Sequence, residues 1–315
     1  DANGCSVQVP VVITEPTELT SSIVSQTDPT CNGFADGLFE VAAVGATPGY
    51  TFDIGSGPQA SGSFIGSAAS TYTVNILDNN GCATSLDVII GEPTLVVASI
   101  LSQTDPLCFA GTDGEFTIEG NGGTPTYQFD MGTGPQATGV FTGQTAGTYS
   151  IDVIDANGCT NNISVTLDEP TQLVGSVDAQ TDASCSGVSD GTVDLSASGG
   201  TAPYTFDIGA GPQASGSFID LAAGNYSVTI TDAQGCTIVV PVEIFEPVSL
   251  SANILSQTEV SCFAGADGTV EITAQDGTVP YSFDIGNGTQ ATGTFAGLSE
   301  GNYTVTVADA NGCSV

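Results

Sequence analysis

A five-residue stretch, Asp-Ala-Asn-Gly-Cys, constrains this chain more than any other feature. It occupies Asp1–Cys5 and returns at Asp309–Cys313, with close variants at Asp78–Cys82, Asp155–Cys159 and Asp232–Cys236. The step is 77 residues every time, without insertion or deletion. A fixed step of that size marks a repeat array, one supersecondary unit copied along the chain.

Glu-Pro pairs mark the joints, at Glu15-Pro16, Glu92-Pro93, Glu169-Pro170 and Glu246-Pro247. Proline carries no N–H for a ladder and biases the residue before it toward an extended backbone. The expected division is 17–93, 94–170, 171–247 and 248–315, with 1–16 as the C-terminal strand of a preceding repeat. The fourth repeat then lacks its last strand, and both ends cut the pattern at the same point, as in a slice of a longer array.

Within a repeat the apolar period is two, the signature of strands. In the first copy Leu19, Ser21 and Ile23 line one face. An Asp36-Gly37 turn leads to Phe39 and Val41, then Tyr50, Phe52 and Ile54, a segment around Phe64, then Tyr72, Val74 and Ile76. The sixth strand runs from Cys82 through Leu86, Val88 and Ile90. Six or seven short strands with closely spaced turns predict an all-β fold, a tandem array of immunoglobulin-like β-sandwiches.

Nine cysteines form two ladders, Cys5, Cys82, Cys159, Cys236, Cys313 and Cys31, Cys108, Cys185, Cys262. Without His or a Cys-x-x-Cys motif they do not read as zinc or redox sites. Regular pairs in thin-cored modules point to disulfides and an exported protein, with buried thiols as the other reading. If consecutive strands alternate in direction, the predicted pairs lie within repeats: Cys31–Cys82, Cys108–Cys159, Cys185–Cys236 and Cys262–Cys313. Cys5 then pairs outside the segment. The alternative series, beginning Cys5–Cys31, joins neighbouring repeats.

The order Cys-x-x-x-x-Asp-Gly, Pro-x-Tyr-x-Phe, Gly-x-Tyr-x-Val-x-Val-x-Asp-x-x-Gly-Cys, then Glu-Pro resembles the SprB-type repeat. The last copy carries it at Cys262–Gly268, Pro280–Phe283 and Gly301–Cys313, and Glu246-Pro247 closes the copy before. The resemblance covers essentially the whole chain. It implies long cell-surface adhesins of gliding Bacteroidetes, exported by the type IX secretion system, that move along the cell or hold it to surfaces and polysaccharides.

Thirty-five acidic residues stand against no Lys, Arg or His, a formal net charge of −35. Such a chain has nothing with which to bind a phosphate backbone, so nucleic acid is excluded as a partner. An anionic membrane surface repels it, and no apolar run is long enough to span a bilayer. Ser-His-Asp, Cys-His and Lys-nucleophile chemistry is unavailable, and acidic positions recur once per repeat, so no enzyme is expected.

Calcium is the candidate ligand, because it takes six to eight oxygens from carboxylates and turn carbonyls. The candidates are Asp28, Asp36 and Asp78 in the first repeat, Asp105, Asp113 and Asp155 in the second, Asp182, Asp190 and Asp232 in the third, and Glu259, Asp267 and Asp309 in the fourth. The competing reading is that Asp before Gly forms a turn and caps its own backbone. The functional expectation is a disulfide-stiffened segment of an extracellular filament or adhesin stalk. Its partners would be further repeats of the same protein, with surface polysaccharide or like filaments as candidates. The alternative is a set of carbohydrate- or calcium-dependent binding modules.

Overall fold

The computed structural model describes residues 2–315. Every regular element in it is a strand. The first repeat has β1 (Thr20–Thr27), β2 (Gly37–Val44), β3 (Thr51–Asp53), β4 (Ser63–Ser67), β5 (Ser70–Leu77) and β6 (Ala83–Ile90). The second has β7 (Val97–Thr104), β8 (Gly114–Asn121), β9 (Gln128–Asp130), β10 (Val140–Gln144), β11 (Gly147–Ile154) and β12 (Thr160–Leu167). The third has β13 (Val174–Thr181), β14 (Gly191–Ser198), β15 (Thr205–Asp207), β16 (Ser217–Leu221), β17 (Gly224–Thr231) and β18 (Thr237–Ile244). The fourth has β19 (Ser251–Thr258), β20 (Gly268–Gln275), β21 (Ser282–Asp284), β22 (Thr294–Leu298) and β23 (Thr306–Ala308).

In the first repeat two antiparallel sheets, β1-β2-β4 and β3-β5-β6, face one another. The division of strands between them is the immunoglobulin arrangement with one strand fewer. The core follows from alternation: Phe39, Val41, Phe52, Phe64, Val74, Ile76, Val88 and Ile90 interlock between the sheets, and Phe39 is 0% exposed. Phe39 stacks on Phe64 at 4.9 Å between ring centroids. Burying a side chain of this size stabilises by about 1.5–3 kcal/mol. β1 is the exception to the expected pattern, since Ile23 remains 42% exposed.

Close approach of β4 to β2 requires glycine. Val41 donates its N–H to the Gly62 carbonyl at 2.9 Å, and a Cβ on Gly62 would run into the Val41 carbonyl oxygen. Gly139, Gly216 and Gly293 meet the same obstruction from Ile118, Leu195 and Ile272. A second device is a tyrosine corner at the start of the fifth strand. Tyr72 donates its hydroxyl to the Ala68 carbonyl at 2.9 Å, and Tyr149, Tyr226 and Tyr303 do the same to Thr145, Ala222 and Ser299.

The chain divides into two compact units. One contains the residues up to Asp105 together with Thr112–Asp168. The other contains Pro106–Gly111 together with Glu169–Val315. Six residues of the loop between β7 and β8, Pro106–Gly111, are thus separated from the rest of their own repeat and grouped with the two repeats that follow. Residues 5–16 form no strand and are exposed.

Candidate functional site: the cysteine joints

The predicted disulfides within repeats are not the ones formed. The structure joins Cys31 to Cys159, Cys108 to Cys236 and Cys185 to Cys313, each pair 128 residues apart. Cα–Cα distances of 5.6, 5.7 and 5.6 Å lie at the usual value for a bridge. So Cys31–Cys82, Cys108–Cys159, Cys185–Cys236 and Cys262–Cys313 are corrected, and Cys82 and Cys262 are exposed thiols. The series beginning Cys5–Cys31 does not form either. Each bridge runs from the first cysteine of one repeat to the second cysteine of the next.

The physical reason is a hidden reversal. Strict alternation of strand direction fails between β3 and β4, where the segment around Gln59 turns back on Phe52. Phe52 and Gln59 exchange backbone hydrogen bonds of 2.8 and 2.9 Å before β4 sets off again. The extra pass leaves β4 parallel to β3 and brings β6 alongside β1 in the same direction. Gln26 donates its side-chain amide to the Ile89 carbonyl at 2.5 Å, and Gly91 donates its N–H to Asp28 at 2.8 Å. The loop carrying Cys31 therefore lies at the far end of β6 from Cys82. An eight-residue strand is about 27 Å long, several times the span of a disulfide. Cys82 also precedes β6 and sits in the turn, so the inward parity of Leu86 and Val88 does not extend to it.

Two clamps hold the cysteine loop. Asp36 accepts from the Thr30 hydroxyl at 2.6 Å and the Thr30 N–H at 3.0 Å. These bonds hold its carboxyl below the ordinary carboxylate range, the hydroxyl contributing most. Ser184 does this to Asp190, and Ser261 to Asp267. The second clamp is the joint glutamate. Glu92 accepts from the Gly33 N–H at 2.6 Å, and Asn32 donates its amide to the Pro93 carbonyl at 3.0 Å. Glu169 and Glu246 accept from Ala110 and Gly187 at 2.6 and 2.7 Å. The Glu-Pro joint is thus tied to its own repeat's cysteine loop.

The receiving half is the Asp-x-x-Gly-Cys turn. Asp78 is buried, and its carboxylate accepts from Thr47, Asn80 and Cys82 N–H groups at 3.0, 3.0 and 2.7 Å. Burial opposes its ionisation, and these donors outweigh burial, so its carboxyl stays below the usual value. Asp232 follows the same balance, with donors Thr201, Cys236 and Gln234. At Asp309 the Thr278 N–H is the largest influence and the direction is again down. Asp155 accepts from Thr124, Asn157 and Cys159 at 2.8, 2.9 and 2.8 Å. Asn157 also reaches across the joint and donates to the Thr30 carbonyl of the preceding repeat at 3.3 Å, as Asn311 does to Ser184.

This geometry accounts for most of the calcium candidates otherwise. Asp78, Asp155, Asp232 and Asp309 are turn caps. Asp36, Asp190 and Asp267 staple their cysteine loops, and Asp113 is the residue before β8. Asp28, Asp105 and Asp182 bind the backbone N–H groups of Gly91, Asp168 and Phe245 just after the sixth strand. Glu259 borders an open groove in the fourth repeat. Among the described residues, no three His, Cys, Asp or Glu side chains gather in a way that could hold a metal ion. The Glu-Pro clasp had no local signal in the sequence, because its partner lies 59 residues away.

The family model described as "SprB repeat" matches residues 23–58, 100–135, 177–212 and 254–290. No curated protein sequence matches the chain. Among solved structures, it is similar to three N-terminal domains of the bacteriophage RB49 highly immunogenic outer capsid protein. Identity there is 14%, over 69% of this chain and 84% of that one, with a TM-score of 0.33. It is also similar to invasin, a bacterial integrin-binding protein, at 12% identity over 95% and 78% of the two chains, with a TM-score of 0.34. These values are too low to carry an argument. The period, the strand order and the family matches coincide: the chain carries four SprB-repeat matches in tandem, one in each repeat.

Proposed function

We propose that this chain is a load-bearing segment of an extracellular filament or adhesin stalk in which each repeat is covalently stapled to the next. The observation that carries the reading is the constant bridge between the first cysteine of one repeat and the second cysteine of its successor. A bridge within a repeat protects that repeat alone. A bridge across a joint makes the joint itself a second covalent connection beside the backbone. Disulfides persist in oxidising surroundings, which fits a site outside the cell. Attachment to surfaces and a part in gliding motility follow from the family resemblance and are proposed on that ground.

The three bridges overlap, and the overlap sets a mechanical limit. The shortest covalent route runs along residues 1–31, crosses to Cys159, follows residues 159–185 and crosses to Cys313. Taut, that route of roughly 60 residues measures about 200 Å, against about 1,100 Å for the reduced chain, at ~3.5 Å per residue. Single-molecule pulling from the two termini tests the proposal. The oxidised chain should stop extending near the shorter limit and the reduced chain should continue to the longer one. Equal extension in both states would refute a stapled array.

The binding-module reading has less support. All eight tyrosine hydroxyls are tied to backbone carbonyls, and seven of the rings are half-buried with Tyr303 alone exposed, so the tyrosines do not form a repeated sugar-stacking platform. Reproducible selective binding on a glycan array would revive it.

A further inference from the structure

We propose that the fold, and not closeness along the chain, selects the bridges: each joint docks with its two thiols reduced, and a thiol oxidant then closes it. The reaction that must supply the stapled array is therefore oxidation after folding. Thiol–disulfide exchange is needed to correct any chain oxidised earlier. This rests on the cross-joint pairing and not on the stalk reading.

Proximity along the chain favours the wrong pairs. No bridge joins neighbouring cysteines: Cys82 and Cys108 lie between Cys31 and Cys159, and Cys159 and Cys185 lie between Cys108 and Cys236. Cys82 to Cys108 is a step of 26 residues and Cys31 to Cys82 a step of 51, against 128 for each bridge. Loop-closure entropy makes cysteines at the shortest step meet about tenfold more often than those at the bridged separation, and at the middle step about fourfold more often. An unfolded chain that meets an oxidant therefore collects short loops.

The fold reverses that preference. In the first repeat the Cys31 loop and Cys82 lie at opposite ends of β6, about 27 Å apart, which removes the middle step. Across the joint, the Cα atoms of Cys31 and Cys159 are 5.6 Å apart. Bonds that do not use sulfur hold both cysteines there. Asp36 fixes Thr30 and Glu92 fixes Gly33, on either side of Cys31. Cys159 donates its N–H to the Asp155 carboxylate at 2.8 Å, and its carbonyl accepts from the Asp155 N–H at 3.0 Å. Asn157 crosses the joint to the Thr30 carbonyl at 3.3 Å. The same carbonyl oxygen lies 3.2 Å from Cys159 Sγ, where a reduced thiol donates its proton. The Leu107 and Ser184 carbonyls stand 3.5 and 3.4 Å from Sγ of Cys236 and Cys313. Each joint thus has a seat for the second thiol before its bridge exists.

Exposure sets the order of attack. Cys31 is 7% exposed and Cys159 is half-buried, so an oxidant such as oxidised glutathione meets Cys159 first. The Cys159 thiolate attacks one glutathione sulfur, and the other glutathione leaves as a thiol. The Cys31 thiolate then attacks the Cys159 sulfur and expels the second glutathione. Two protons and two electrons pass from the cysteines to the oxidant.

The test oxidises the full reduced chain in two orders. One sample is folded in buffer and then given oxidised glutathione; the other receives it in concentrated urea, which is then removed. Remaining thiols are capped with iodoacetamide and the pairs are mapped. The first sample should hold Cys31–Cys159, Cys108–Cys236 and Cys185–Cys313. The second should hold Cys82–Cys108 and Cys159–Cys185 about tenfold above any bridged pair. Reduced glutathione added to uncapped second sample after the urea is gone should convert it to the pairs of the first. Before any oxidant is added, the N–H groups of Gly33 and Cys159 should already resist hydrogen exchange, and early quenching should find glutathione on Cys159. Cross-joint pairs dominant in both samples would overturn the proposal, because chain proximity alone would then suffice. Short loops in the folded sample, or unprotected Gly33 and Cys159 amides in the reduced chain, would overturn it from the other side. Glutathione trapped first on Cys31 would contradict the order of attack. Absence of cross-joint pairs from both samples, even after exchange, would instead remove the pairing on which the stalk reading also stands.

Discussion

The first and fourth repeats carry one pattern and reach different degrees of closure. In the first, β5 is eight residues long and pairs with β6 over its whole length. In the fourth, the equivalent β23 has three residues. Val41 and Val74 are buried in the first repeat, and their counterparts Ile272 and Val305 are half-buried in the fourth. Tyr72 and Tyr303 make the same corner bond, but Tyr303 is exposed. β20 and β22 still pair as β2 and β4 do. The sheet containing the first strand thus forms without the sixth strand, whereas the opposite sheet and the core between them do not close. Bridging alone does not compensate, since Cys313 in the fourth repeat is bonded.

The largest expected separation is in amide exchange. Backbone N–H groups of residues 302–305 should exchange orders of magnitude faster than those of residues 71–74, because only the latter lie in a paired strand. Equal protection would erase the contrast. Next comes core truncation. Phe116→Ala in a closed repeat should cost about 3–5 kcal/mol by chemical denaturation, and Val270→Ala in the open one about 1 kcal/mol or less. Gly216→Ala, which drives a Cβ into the Leu195 carbonyl, should cost about 1–3 kcal/mol, and Gly293→Ala, which meets the Ile272 carbonyl in the same way, about as much; a clear difference between the two would show that closure of the repeat reaches the second strand.

How much of this was visible in the sequence depends on the range of the interaction. The core of each closed repeat was legible, because Phe39, Val41, Val74, Ile76 and Val88 announce themselves by alternation. The bridges were not, because the return of the chain at Gln59 is a single pair of residues hidden in a Gly-rich turn. That one reversal moves the Cys31 loop to the other end of β6. The carboxylates misled for a related reason. An Asp ahead of Gly reads equally as a ligand or as a cap, and only the positions of Thr47 and Cys82 decide for Asp78.

The smallest expected effect is on pH. Asp36, Asp78, Asp190, Asp232, Asp267 and Asp309 have lowered carboxyl values relative to 3.8 in the unfolded chain. Their contribution is therefore present above pH 3.8 and is lost as pH falls below it through the folded values. Thermal melts should be flat down to about pH 4.5 and fall below that. Asp78→Asn with Asp232→Asn should reduce the fall, and an unchanged fall would remove these caps from the account.

The central claim is that successive repeats are bridged, and non-reducing peptide mapping tests it most directly. The chain has no Lys or Arg, so a protease cutting after Asp and Glu is needed, and such cuts place all nine cysteines on separate fragments. The account predicts that the fragment with Cys31 emerges joined to the one with Cys159, Cys108 to Cys236, and Cys185 to Cys313. Recovery of Cys31 joined to Cys82 would contradict it.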